Sequence, residues 1–161
     1  DLRIAQIYEG TNGIQSQDLI GRKTIKCEGA YLKAYIDEIR DFANQMDAEL
    51  NFIKDATLDA ATELESVTQF ILEAAQENPN FANAVAVDYL HALGLLSFSY
   101  MFARIAEAAQ DKSAPFYQAK INLAIYFVQR VLPELPMRIS KIKAGADVIM
   151  RFSPEYFTQQ S

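Results

Sequence analysis

The sequence predicts an all-α protein, an up-down-up-down four-helix bundle preceded by short helices. Three observations carry this prediction. Apolar residues recur at spacings of three and four through most of the chain. No run alternates apolar and polar residues as a half-buried strand would, and Asn12-Gly13 is nearly alone as a turn dipeptide. Proline and polar breaks divide the periodic sequence into four long segments joined by short connections, the layout of a helical bundle.

The elements follow in order. A short helix is expected over Arg3 to Tyr8, ended at Glu9-Gly10 because Gly10 and the Thr11-Asn12-Gly13 turn tolerate backbone angles that break a helix. A second helix runs from near Ile14 towards Lys23, and Lys23–Gly29 reads as a joint. The first long helix is expected from about Ala30 to Phe52, with Leu32, Ile36, Ile39, Ala43, Met46, Leu50 and Ile53 on one stripe. The second runs from about Leu58 to Glu77, with Ala61, Leu64, Thr68, Ile71 and Ala75 as its stripe. Asn78-Pro79 ends it, since proline lacks the N–H that continues the ladder.

The third long helix, about Phe81 to Gln110, is apolar on two faces. One carries Phe81, Val85, Ala92, Leu95, Phe102 and Ala106; the other carries Tyr89, Leu93, Leu96, Tyr100 and Ala103. Such a helix is the central helix of the bundle or faces another domain or subunit. Ser113 is the expected N-cap of the fourth, with Pro115 in its first turn and Phe116, Ala119, Leu123, Tyr126, Phe127 and Val131 along it. Leu132-Pro133 and Leu135-Pro136 should kink or break the chain. A last helix is expected from about Met137 to Met150, followed by a loose tail, Phe152–Ser161.

Composition narrows the function classes. Half of the 161 residues are hydrophobic and 22% are charged, a globular balance with enough length for a core. The formal charge of −6 argues against a nucleic-acid partner, which calls for a basic face. The run Ala84–Ala103 is apolar, but it holds Asp88, His91, Ser97 and Ser99, so a buried helix is expected and not a membrane span. The single cysteine, Cys27, excludes an internal disulfide and suits a reducing, cytoplasmic setting. The chain opens Asp1-Leu2-Arg3, with no initiator methionine and no signal-peptide pattern, and is expected to be a piece of a longer polypeptide.

The stretch with the most chemistry in it is Ile7-Tyr8-Glu9-Gly10-Thr11-Asn12-Gly13-Ile14-Gln15. It sets a carboxylate at a glycine-containing break between two helices, from which Glu9 can project into a cleft. Gly10 lets a ligand approach the backbone, and the helix behind it opens with free N–H groups. Most glutamates at helix ends are solvated or act as caps, so position alone does not make Glu9 a catalyst.

With Arg3-Ile4 ahead of it, this stretch resembles the catalytic-glutamate segment of flavin-dependent acyl-CoA dehydrogenases. The resemblance covers about the first two dozen residues and implies that they end the family's catalytic core. Glu9 would then be the base that removes the α-proton of an acyl-CoA thioester while the β-hydrogen passes as hydride to FAD. The backbone N–H of Glu9 would help hold the charge that develops on the thioester oxygen. By the same resemblance Tyr8 and Gly10 lie along the substrate, and Thr11 and Gln15 contact FAD. Gly13 departs from the family pattern, in which many members carry an acidic or serine-type residue there.

A subset of longer family members, including 3-methylmercaptopropionyl-CoA dehydrogenase-like enzymes, has a helical C-terminal extension, and Leu135–Met150 looks like its end. The chain is therefore expected to divide into residues 1–26, the end of the catalytic domain; 27–152, the bundle; and 153–161, a tail. The resemblance implies an acyl-CoA substrate, upstream catalytic domains in the same chain, an electron-transfer flavoprotein as acceptor, and a homo-oligomer. In isolation the chain is expected to be inactive and to bind no FAD. The alternative is a helical packing or oligomerisation module with no catalysis of its own.

Other candidates read more simply. Asp88 and His91 form one D-x-x-H, whereas a carboxylate-bridged metal bundle needs two E-x-x-H motifs. His91 is thus expected in the core or an interface, and no metal site is assigned. The aromatic residues Tyr89, Phe98, Tyr100, Phe102, Tyr126 and Phe127 have the spacing of packing residues. Arg138, Lys141 and Lys143 read as a solvated helix face, and Cys27 has no neighbour that would make it a nucleophile.

Overall fold

The structure is a computed structural model that describes residues 11–157. The helix expected over Arg3–Tyr8 and the candidate residues Tyr8, Glu9 and Gly10 lie outside these. Among the described residues every regular element is helical and there is no strand, as the periodicity requires.

Helix α1 spans Asn12–Gln17 and passes without interruption into a π-helical stretch, Asp18–Ile25. The helix expected near Ile14–Lys23 is present, but most of it is wound more loosely than an α-helix. The backbone N–H of Lys26 reaches the Gly21 carbonyl at 3.0 Å, and that of Gly29 reaches Thr24 at 2.9 Å, both five residues back. The joint then turns sharply through Glu28 (φ 50°) and Gly29 (φ 75°), consecutive left-handed residues.

Helix α2 spans Ala30–Ala43 and buries Leu32, Ile36, Ile39 and Ala43. It does not run to Phe52. Residues 44–47 turn the chain, and Asp47 accepts the Glu49 N–H at 2.8 Å, capping a 3-10 turn, Ala48–Leu50. Helix α3, Asn51–Glu77, follows at once and begins well before Leu58. Met46, Leu50 and Ile53 are buried, but they belong to the turn and to the next helix. In α3, Ala61, Leu64, Thr68 and Ile71 are buried as expected, while Ala75 is half-buried.

Helix α4 spans Phe81–Ala109 and packs against α1, the π-helical stretch and α3, and against the two helices that follow. It is the central helix. Residues from both of its apolar faces are buried, among them Phe81, Val85, Ala92 and Leu95 from one and Tyr89, Leu96, Tyr100 and Ala103 from the other. It is also long and apolar enough to cross a membrane by length and composition. Its place inside the bundle accounts for the apolarity of its buried third, each large buried side chain contributing about 1.5–3 kcal/mol.

Helix α5 is Pro115–Arg130, and its N-cap is Ala114 in extended conformation, not Ser113. Pro115 fixes the first turn from position N1, where no N–H is needed, so no capping side chain is required. Helix α6, Glu134–Ala144, starts earlier than Met137. Pro133 sits at its N-cap and breaks the chain as expected. Pro136 is the third helical residue, where the N–H has no intrahelical partner, so the helix runs through it. Gly145 (φ 69°, ψ −160°) ends α6, and a single turn α7, Asp147–Met150, replaces the expected continuation. A 3-10 turn, Pro154–Phe157, follows.

Candidate functional site

The described part of the candidate site begins at Thr11, which has no side-chain capping bond to α1. Thr11, Ile14 and Gln15 are all exposed, Ile14 at 65%. The opposite side of the same helix is buried at Ser16, Ile20 and Thr24, three residues spaced by four. Ser16 donates to the Gly13 carbonyl at 2.7 Å, which holds the turn just behind Asn12. The front helix thus has a docked side and an open side, and the two candidate cofactor contacts stand on the open one.

The docked side ends on a polar cluster inside the core. Tyr89, 1% exposed, sets its hydroxyl 3.0 Å from Thr68 Oγ1 and 3.5 Å from Thr24 Oγ1. Thr24 donates to the Leu19 carbonyl at 3.0 Å, and Thr68 to the Leu64 carbonyl at 2.8 Å. Burial pushes the Tyr89 phenol above its ordinary value, and the two threonines pull the other way. None of this cluster was foreseen as a site. The only trace of it in the sequence is Thr68, a polar residue inside the apolar stripe of α3.

Three further polar links tie helices together. Thr57 and Ser99 share a buried hydrogen bond of 2.8 Å between α3 and α4. Tyr100 donates to Glu38 at 2.9 Å, and burial, with that bond and the Glu38 charge, raises its phenol above the ordinary value. Arg40 pairs with Glu65 at 2.7 Å, and this hydrogen bond holds the guanidinium above its ordinary value against the effect of burial.

The other sequence candidates resolve as follows. His91 is exposed, so it is not a core histidine. Its neighbour Asp88 turns instead to α6, where Arg138 meets it at 2.8 Å and Lys141 lies 4.0 Å away. The expected solvated basic face is therefore only partly solvated: Arg138 is about one-fifth exposed, and its Nε is buried without a partner among the described residues. Cys27 is half-buried and donates weakly to the Arg22 carbonyl at 3.4 Å. No group of three or more His, Cys, Asp or Glu among the described residues is placed to hold a metal.

Several recesses flank the helices among the described residues. A largely apolar cavity of about 210 Å³, lined by Leu19, Lys23, Thr24, Tyr31, Leu32, Tyr35, Tyr89 and Leu93, lies beside the threonine–tyrosine cluster. A broader groove of about 540 Å³ runs between α3 and α6, with Glu63 and Lys143 among its lining residues. The aromatic set divides. Tyr89, Tyr100 and Phe127 are buried and Phe102 is half-buried, whereas Phe98 (60%) and Tyr126 (57%) are exposed. Phe98, Met101 and Ile105 are exposed on α4 at spacings of three and four, and Val87, eleven residues before Phe98, is exposed about three turns back on the same face, so α4 keeps an uncovered apolar stripe.

Comparison with known proteins bears on the whole chain. Residues 35–153 match the family model described as acetyl-CoA dehydrogenase C-terminal like. The chain is similar to 3-methylmercaptopropionyl-CoA dehydrogenase of Ruegeria pomeroyi, with 31% identity across 95% of this chain and 27% of that protein. It is also similar to a broad-specificity linear acyl-CoA dehydrogenase of Mycobacterium tuberculosis, at 26% identity across 98% of this chain and 28% of the relative. A butyryl-CoA dehydrogenase of Syntrophomonas wolfei is 30% identical over 83% of this chain and 23% of its own length. The chain spans about a quarter of the length of these curated relatives.

Proposed function

Since this chain belongs to the acetyl-CoA dehydrogenase C-terminal-like family, we propose that it is the C-terminal part of an FAD-dependent acyl-CoA dehydrogenase whose catalytic base is Glu9. The observation that carries the reading is the run Ile7-Tyr8-Glu9-Gly10-Thr11, which stands ahead of the family match. We divide the chain accordingly, with residues 1–26 finishing the catalytic domain, 27–152 forming the bundle and 153–161 a tail.

The chemistry asked of Glu9 is removal of a weakly acidic α-proton beside a thioester. A carboxylate does this well only when it is desolvated, which raises its pKa and makes it a stronger base. Tyr8 and Gly10 line the substrate, and the Glu9 N–H donates to the thioester oxygen as charge develops there. FAD, when bound, accepts the β-hydrogen as hydride. Thr11 and Gln15 fit a role beside it: both are exposed, and neither side chain is committed to a hydrogen bond among the described residues. Two such contacts do not make a flavin site, so the rest of it comes from upstream domains of the same polypeptide. An electron-transfer flavoprotein is the proposed acceptor, and a reducing cytoplasm suits the single thiol.

Two measurements test this. In the full-length enzyme, Glu9→Gln should leave FAD bound and stop its bleaching by acyl-CoA; fast bleaching would remove Glu9 from the role. The isolated chain should show no saturable quenching of FAD fluorescence at micromolar concentrations. Tight binding there would contradict the reliance on upstream domains. The bundle has a second, compatible role as a packing module. The exposed stripe of Val87, Phe98, Met101 and Ile105 favours it, as a face suited to the rest of the polypeptide or to a second subunit.

A further inference from the structure

We propose that α4 pairs antiparallel with α4 of a second copy of this chain, about a two-fold axis level with Leu96. The proposal makes the packing role of the bundle specific and does not depend on the reading of Glu9.

The open side of α4 carries a repeat that the bundle does not use. Ala84, His91, Phe98 and Ile105 recur every seven residues, and so do Val87, Gly94, Met101 and Ala108. The two series alternate at steps of three and four, the pattern of a helix that packs lengthwise on another helix. Ala84 and Gly94 are half-buried and the others are exposed.

Gly94 is the sign that something from outside the chain fits here. Glycine in the middle of a long helix weakens it relative to alanine. The usual reasons for one are missing. Its φ is not positive, and a Cβ added to it would meet nothing within 4 Å. Phe98, one turn on, is 60% exposed. A notch and a large side chain thus sit next to each other on one seam.

A two-fold axis puts each against the other. With the axis level with Leu96, Phe98 of one copy faces Gly94 of the other. His91 then faces Met101, Val87 faces Ile105, and Ala84 faces Ala108. The largest side chain meets the smallest near the axis, and the alanines at both ends let the backbones come close. The seam therefore matches its own reverse, as an interface between identical copies requires. A face shaped for an upstream domain would need no such symmetry.

Area and charge agree. From Ala84 to Ala108 the seam is about 36 Å long. Helix α5 widens it: Phe98 meets the Phe127 ring at 6.3 Å, and Leu123 and Tyr126 are exposed on α5. Two helices side by side, each about 10 Å across, give a face of roughly 700 Å², near the ~800 Å² that each partner brings to a stable interface. At a net charge of −6, two copies repel. The stretch from Tyr89 to Ala106 and the whole of α5 hold no Asp or Glu, so that repulsion stays away from the contact. Arg104, the one fixed cation in the α4 stretch, lies over the Tyr100 ring of its own chain at 5.5 Å.

The test uses the full-length enzyme with Cys27→Ser as the parent, carrying Val87→Cys and Ile105→Cys together. Within one helix these positions are about 27 Å apart, far beyond the reach of a disulfide. Across the pair they face each other. Mild oxidation should turn the double variant into a reducible covalent dimer, while the parent and each single variant stay uncrosslinked. Adding Gly94→Leu should slow cross-linking roughly tenfold, and adding Phe98→Ala as well should restore it. Should the first pair of cysteines unfold the helix, His91→Cys with Met101→Cys, opposed in the same register, replaces it. No covalent dimer from a folded double variant, as when an upstream domain covers the face, overturns the proposal. Equal cross-linking by the single variants, or an unchanged rate with Gly94→Leu, overturns it too. None of these outcomes bears on Glu9, which flavin bleaching decides.

Discussion

Tyr100 ties a buried hydroxyl to the stability of the fold at alkaline pH. It is nearly fully buried, donates to Glu38, and meets Tyr35 and Phe42 edge-on at centroid distances of 5.9 and 5.5 Å. Its folded-state pKa is raised, as is that of Tyr89. Unfolded tyrosines ionise near pH 10. Below that pH both states are protonated and the stabilisation is fully present. As pH rises, the unfolded chain loses protons first, so the folded state binds more of them and unfolding free energy falls. Urea titrations from pH 8 to pH 11 should show stability level at first and then declining from about pH 10. Tyr100→Phe should flatten that decline; an unchanged decline would place its cause elsewhere. The Glu38 partner could not be read from the sequence. It lies on α2, 62 residues from Tyr100, and no local pattern joins them.

Element boundaries depended on single residues that periodicity does not register. Ala43, Met46, Leu50 and Ile53 keep the three-and-four spacing across a turn, because both sides of the turn face the same core. A stripe records which residues are buried and carries no mark of a change in chain direction, so the end of α2 and the start of α3 were hidden in it. Gly145 is the second case. Its backbone lies in a region open only to glycine, and a Cβ there would stand 3.2 Å from the Phe81 ring. Gly145→Ala should therefore destabilise the fold by roughly 1–3 kcal/mol, seen in calorimetry as a Tm several degrees lower. An unchanged Tm would mean that the turn relaxes without loss. Long, strongly periodic stretches such as α4 were legible throughout, and so was the stop at Asn78-Pro79.

For the molecule as a whole, the all-helical class and the central place of α4 followed from composition and period alone. The candidate site was legible only as a motif, Tyr8-Glu9-Gly10, with Thr11 and Gln15 behind it. The buried cluster of Thr24, Tyr89 and Thr68 comes from three distant stretches and leaves no local signature. The exposed α4 stripe makes the isolated chain prone to self-association. Sedimentation should show association with concentration, and Phe98→Glu should reduce both it and hydrophobic-dye binding. A monomer that binds no dye would argue that the stripe is an ordinary surface. The link between Thr24 and Tyr89 also spans 65 residues of sequence. A ribosome adding about 5–20 residues per second needs several seconds to make Tyr89 after Thr24 has appeared. During that interval the segment that carries Thr24 has no α4 to dock on. The front segment, residues 12–25, can dock only after α4 has been synthesised and folded back against it.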